Sequence, residues 1–216
     1  NAFATAALKA AARMAKTQGR EDAENYRERA CRQEDAFQSF WLEEEGYYAA
    51  VRENGRARGD FFAVHGNILA LLYDLVPDHR RSSVLEHVKC ELEHNLDFSR
   101  PHVEIYFLYY ALRMLYRENE YSMAEKLLHT HYGFMHERGA WCLVEALDRL
   151  EEGVGSLCHG WACGNMVASI EGILGVRPAY PGDLSTMVLE PAGETLDWAE
   201  GTYPHPWGNL DVLWYI

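Results

Sequence analysis

Positive charge is scarce in this sequence. Lys and Arg number 20 against 33 Asp and Glu, a formal net charge of −13. So acidic a chain disfavours phosphate backbones and anionic membrane surfaces, because both call for a cationic face. No nucleic-acid or membrane partner is expected, and a neutral ligand such as a sugar suits the chain better. Long apolar runs are lacking as well. None approaches the roughly 20 residues that a spanning helix needs, and Asn1 opens directly into helical sequence without a basic-then-apolar leader. A paired cysteine framework is also missing. Cys31, Cys90, Cys142, Cys158 and Cys163 are an odd set scattered through apparent helices and loops. Free, mostly buried thiols are expected, and with them a cytoplasmic location. The group Cys158, His159 and Cys163 lacks the second CxxC or HxxxH arm of a zinc site, so no metal or other cofactor is expected.

What is present is enough apolar material for a core: 48% of the 216 residues are hydrophobic and 12% aromatic. From Asn1 to about Arg138 the apolar positions recur at helical spacing in six segments, with no strand alternation. The first runs to about Lys16 and stops at Gly19, which suits a left-handed cap. The second carries Tyr26, Ala30, Phe37 and Phe40; the third Ile68, Leu69, Leu72 and Leu75; the fourth Val84, Val88 and Leu92. A fifth is expected to open at Pro101 and carry Ile105, Leu108, Tyr109, Leu112 and Leu115. A sixth opens with Ser122 and Glu125 at capping-box spacing. A seventh spans about Gly160 to Leu174.

The links alternate in length. Those at Trp41 to Asp60 and at Gly139 to Cys158 are long and rich in Gly, aromatic and charged residues. In an antiparallel train of helices every second link falls at the same end, which is where function tends to lie. After Gly175, short β-type runs at Thr186–Leu189, Leu196–Ala199 and Leu210–Tyr215 alternate with Pro and Gly, the expected beginning of an antiparallel β-domain. An open end of such a train would expose on the order of 600 Å² of apolar surface, about 15 kcal/mol of lost burial. Further helices, covalent or from another chain, are therefore expected before Asn1.

Two stretches carry a resemblance. Gly139-Ala140-Trp141-Cys142-Leu143-Val144-Glu145, followed by Ser156-Leu157-Cys158-His159-Gly160-Trp161, resembles the catalytic-base loop of family 78 glycoside hydrolases, the bacterial α-L-rhamnosidases. Their pattern there is a Gly-Ala-Thr-Thr-φ-Trp-Glu run and then Ser-x-x-His. The segments Gly175-Val176-Arg177-Pro178 and Gly201 to Gly208, and the opening Gly19 to Ala23, are similar to the family too. The resemblance implies a mainly α chain: part of an (α/α)6 toroid, about seven of its twelve helices, over 1–175, then the start of a C-terminal β-sandwich domain over 176–216. It also implies an inverting hydrolase that removes terminal α-L-rhamnose or a similar sugar. One carboxylic acid would protonate the leaving oxygen and a second carboxylate, separated by roughly 6.5 to 9.5 Å, would activate water. Glu145 aligns with that base. The family's acid motif, of the type Asp-x-x-x-Arg-x-Glu, has no match here and is expected outside the chain.

Read without the motif, Glu145 is a solvated loop glutamate. Within it, Glu145 is the candidate catalytic residue, and His159, Trp161, Trp141 and His65 are candidate substrate contacts. His159 reads equally as a structural histidine and Trp161 as core filling. His65 follows the first long link; His102 and Glu104 are weaker candidates, and Trp41, Tyr47 and Tyr48 read as loop packing. The sequence departs from the pattern at Trp141-Cys142 in place of Thr-Thr and at Val144 in place of Trp. These departures leave two alternatives open: a carbohydrate-binding or scaffold protein that has lost catalysis, and a related toroid glycosidase or lyase acting on another sugar.

Overall fold

The computed structural model describes residues 1–59, 62–96, 103–147, 155–180, 182–192 and 195–216. The chain divides into two compact units, Asn1–Glu91 and Leu92–Ile216. The first opens with two helices of 16 residues, α1 (Ala2–Thr17) and α2 (Ala23–Gln38), packed as a hairpin. Two small β-hairpins follow, formed by β1 (Trp41–Leu42) with β2 (Tyr47–Tyr48) and by β3 (Val51–Glu53) with β4 (Arg56–Arg58). Then come α3 (Val64–Leu72) and α4 (Asp78–Glu93). The helix α3 is buried nearly all round, with Ile68, Ala70 and Leu71 at 0% exposure, which fits its apolar Ile-Leu-Ala-Leu-Leu run.

The hairpins correct the expectation that no strands interrupt the helical region. Asn54 and Gly55 both have positive φ, 51° and 79°, the two-residue turn whose twist matches paired strands. The first long link is thus a structured element, and one buried side chain pins it. Asn67, fully buried on α3, accepts the backbone N–H of Tyr48 at 3.0 Å and donates to the Tyr48 carbonyl at 2.9 Å. Around that clamp Tyr48 packs its ring 4.8 Å from Phe37 and 5.1 Å from Trp41, while Tyr47 lies 5.1 Å from the His87 ring. Trp41, Tyr47 and Tyr48 are loop packing, as read from the sequence.

In the second unit, α5 (Leu108–Arg117) starts seven residues later than Pro101; Val103 and Ile105 are buried in the turn before it. Pro101 and His102 lie outside the described residues, as do Pro181 and Gly193. Next is α6 (Tyr121–Leu128), which runs through a π-helical turn (His129–Gly133) into α7 (Phe134–Glu137). The expected capping box does not form. Glu120 precedes the helix without a side-chain cap bond, and Glu125 instead accepts a hydrogen bond from the Thr195 hydroxyl. The seventh helical segment is a 3-10 turn (Gly160–Cys163), α8 (Gly164–Ser169) and a second π turn (Ile170–Leu174).

Small residues let α5 and α8 approach closely. A Cβ on Gly164 would lie 2.4 Å from Tyr109, and one on Gly172 would lie 2.2 Å from the Tyr116 ring, with fully buried Ala168 midway between them. These three positions are one helix-face apart. Beside them Arg113 donates from Nε to Glu171 at 2.6 Å and from Nη1 to the Tyr109 hydroxyl at 2.9 Å. The β-region is two antiparallel hairpins, β5 (Val176–Tyr180) with β6 (Asp183–Leu189) and β7 (Trp198–Tyr203) with β8 (Leu210–Tyr215). Their shared core joins Leu174, Val176 and Val212, with Met187, Tyr203 and Trp214 against it. The strand β5 had no counterpart in the sequence reading, because Pro178 reads as punctuation.

Candidate functional site

The loop that carries Glu145 begins with a helix stop. Gly139, at φ 65°, follows the last turn of α7, and the Ala140 and Gly139 N–H groups reach back to the carbonyls of Met135 and His136, both at 3.0 Å. This left-handed cap throws the chain out of the helix. Val144 and Leu147 are 2% and 8% exposed. They anchor the loop to the core on either side of Glu145, whose side chain is left about half exposed at 48%.

The returning arm is stitched to the outgoing one by backbone hydrogen bonds. Glu145 N–H donates to the Ser156 carbonyl at 2.9 Å and His159 N–H donates to the Leu143 carbonyl at 2.7 Å. Glu145 Oε2 accepts the Ser156 N–H at 3.1 Å and stands 4.0 Å from His159 Nδ1. The two residues that the motif singles out, eleven and sixteen positions apart from their backbone partners in sequence, are therefore held together by main-chain geometry. A carboxylate held by one amide and left partly open to solvent retains lone pairs for a water or a hydroxyl.

Trp161 lies next to His159, with ring centroids 6.3 Å apart, and is 70% exposed. It is an open aromatic face and does not fill the core. Two residues absent from the sequence reading complete this wall. Tyr106 packs its ring 5.9 Å from Trp161. Tyr132, carried on the π turn after α6, donates its hydroxyl to the Ala162 carbonyl at 3.1 Å and so fixes the turn that bears Trp161. Burial pushes the Tyr132 hydroxyl well above the usual tyrosine range, which keeps it a donor. π turns often mark functional positions, but their extra residue leaves no sequence signal.

Trp141 is fully exposed and makes no part of this wall. His65 is the second residue of α3, half-buried, in the first unit; Glu104 is exposed before α5. All five cysteines are exposed, which corrects the expectation of buried thiols: Cys31 and Cys90 lie on the open faces of α2 and α4, Cys142 and Cys158 on the arms of the loop, and Cys163 in the 3-10 turn. Among the described residues no group of three or more His, Cys, Asp or Glu side chains is arranged to hold a metal ion. A groove of about 740 Å³ between α1 and α2 is lined by Lys9, Arg27 and Glu34 among others. With Lys9 paired to Glu34 and Arg27 to Glu24, it is a seam of paired, solvated charge.

Residues 1–169 match the family described as bacterial alpha-L-rhamnosidase 6 hairpin glycosidase domain. The chain belongs to this family. Its fold class follows: a mainly α, six-hairpin helical region leading into antiparallel β-structure. Three solved rhamnosidases have similar folds. The GH78 family rhamnosidase of Bacillus sp. GL1 matches with a TM-score of 0.77 and 22% identity over 100% of this chain. The Streptomyces avermitilis alpha-L-rhamnosidase complexed with L-rhamnose gives 0.76 and 22% over 99%. The Dictyoglumus thermophilum alpha-L-rhamnosidase gives 0.76 and 24% over 98%. This rhamnosidase-family chain spans only 23%, 20% and 23% of those proteins, respectively. No curated protein sequence matches it. Among the described residues no helix is long and apolar enough to cross a membrane.

Proposed function

We propose that this chain supplies the base side of an inverting glycoside hydrolase site acting on terminal α-L-rhamnose or a similar sugar. Residues 1–175 would belong to the catalytic toroid and 176–216 would begin a C-terminal β-domain. The observation that carries the reading is the placement of Glu145. Its carboxylate is partly solvated, accepts the Ser156 amide and lies 4.0 Å from His159 Nδ1, and the His159 ring in turn neighbours the open face of Trp161. Glu145 draws a proton from a water, which attacks the anomeric carbon opposite the leaving oxygen. The general acid is assigned to residues outside this chain. His159 donates to a sugar hydroxyl, and Trp161 covers the apolar face of the ring. His65 and Trp141 are kept as further contacts, the former on the first unit.

In the enzyme that contains this chain, Glu145→Gln should lower kcat on an aryl α-L-rhamnoside by roughly 10²–10⁴-fold, the usual scale of general-base catalysis, while L-rhamnose binding persists. The first-formed product of the unaltered enzyme should be β-L-rhamnose by proton NMR. Near-normal turnover by the variant removes Glu145 from the mechanism. Two observations favour a second reading, a binding protein without catalysis: the position before Glu145 is a buried Val144, and Trp141 is fully exposed and stacks on no ring among the described residues. Saturable rhamnoside binding with no cleavage by the whole enzyme would select it. An unsaturated uronate among the products would select a lyase.

A further inference from the structure

The base loop holds a chemistry that the hydrolase reading leaves unused. Three of the chain's thiols, Cys142, Cys158 and Cys163, lie on the two arms of this loop and in the 3-10 turn after it, and all are exposed. The hydrogen bond from His159 N–H to the Leu143 carbonyl, 2.7 Å long, sets the residue just before Leu143 and the residue just before His159 on neighbouring passes of the chain. Those residues are Cys142 and Cys158, and their side chains are within hydrogen-bonding reach of each other. Cys142 also stands where the resembling pattern has a threonine, so the pair is a property of this chain and not of the motif.

We propose that Cys142 and Cys158 form a modification site for small-molecule disulfides, at which an intramolecular disulfide ties the outgoing and returning arms of the Glu145 loop together. The chemistry is thiol–disulfide exchange. Cys158, as thiolate, attacks one sulfur of a small disulfide such as oxidised glutathione and expels one thiolate. Cys142, having lost its proton, attacks the Cys158 sulfur of the mixed disulfide and expels the second. The cysteines lose two electrons and two protons, and the small disulfide gains both as two thiols. Contact with the Cys158 thiol pushes Cys142 above the ordinary thiol range. Cys31 and Cys90 lie on α2 and α4, away from the loop in sequence.

The bond would close a loop of which Glu145 is a member. Its consequence is loss of local opening: the amides of Glu145 and His159, which already make the cross-arm hydrogen bonds, could no longer part. Exchange chemistry at the pair stands without the hydrolase reading; only the meaning of a fixed Glu145 rests on it.

The test uses the enzyme that contains this chain, with Cys31→Ser and Cys90→Ser, and follows this chain's three remaining thiols by alkylation and mass spectrometry of the digest. After oxidised glutathione, the alkylated thiols among them should fall from three to one, and the digest should contain Cys142 linked to Cys158. Amide hydrogen exchange at Glu145 and His159 should slow by about tenfold on oxidation and recover with dithiothreitol. Three remaining thiols, a Cys158–Cys163 link, stable glutathione adducts or unchanged exchange would each overturn the proposal. Adding Cys142→Ser should leave a persistent glutathione adduct at Cys158. None of these measurements involves a sugar, so a failure of the hydrolase reading leaves them intact, and their failure leaves Glu145→Gln to be judged by turnover alone.

Discussion

His159 Nδ1 stands 4.0 Å from Glu145 Oε2, on an arm whose backbone is bonded to the arm that carries the glutamate. The imidazole is too far for a hydrogen bond and close enough to share one solute between them. Replacing His159 by Ala should remove one sugar contact, raising KM on an aryl α-L-rhamnoside about tenfold, near 1.4 kcal/mol, with a smaller effect on kcat. A fall in kcat equal to that of Glu145→Gln, with KM unchanged, would contradict the binding role.

The Asn67 clamp predicts a stability effect. Asn67→Ala strips the Tyr48 N–H and carbonyl of their buried partners, and such orphaned groups destabilise by about 1–3 kcal/mol each. A loss of roughly 3 kcal/mol should appear as a lower urea midpoint. Asn67→Asp, which keeps the acceptor but sets an unpaired buried carboxylate against the Tyr48 and Ala63 carbonyls, should destabilise more than Asn67→Ala at neutral pH.

Helix approach at Gly172 predicts a steric effect. An added Cβ lies 2.2 Å from the Tyr116 ring, so Gly172→Ala should destabilise by about 1–3 kcal/mol despite alanine's higher helix propensity. At roughly 2–4 °C per kcal/mol for a chain of this size, differential scanning calorimetry resolves it. Gly66→Ala on α3, where nothing lies within 4 Å of the new Cβ, should be neutral or slightly stabilising.

His131, on the first π turn, is 2% exposed and its Nδ1 lies 2.9 Å from the Leu127 carbonyl. Burial lowers its pKa below the ordinary histidine value of 6.5. A depressed folded pKa means that the unfolded chain binds the proton first. The stability is therefore fully present above about pH 6.5 and is lost as pH falls toward the folded value. Urea midpoints at pH 7.5 and 5.5 should differ less in His131→Gln than in the unaltered chain.

Helices were legible because Ile68, Leu112 or Leu127 repeat with a period that only a buried helical face requires. Helix ends were legible only where glycine marks them. Tyr73-Asp74 and Glu118-Asn119 close α3 and α5 with the same left-handed turn, Asp74 at φ 55° and Asn119 at φ 60°. Asp and Asn occupy that conformation far less regularly than Gly, so they carry weaker signals. The Asn54-Gly55 hairpin was written in the sequence, but Arg52, Glu53, Arg56 and Arg58 around it hide any apolar alternation. For the site, Glu145 and His159 came from a motif; their meeting depends on backbone bonds to Ser156 and Leu143, which no spacing rule predicts. Tyr106 and Tyr132 were silent because one reaches the Trp161 turn from the turn before α5 and the other from the π turn after α6.

The π turn at His129–Gly133 also bears on how relatives should be compared. A helix so interrupted holds one residue more than a regular one of the same rise, and the face it presents rotates by about 100° for each added residue. A relative without the widening would carry one amino acid fewer there. Matching by letters alone, at 22–24% identity, would then slip by a single place just ahead of Glu145. Equivalences for the base loop should be drawn by superposing backbones downstream of Phe134.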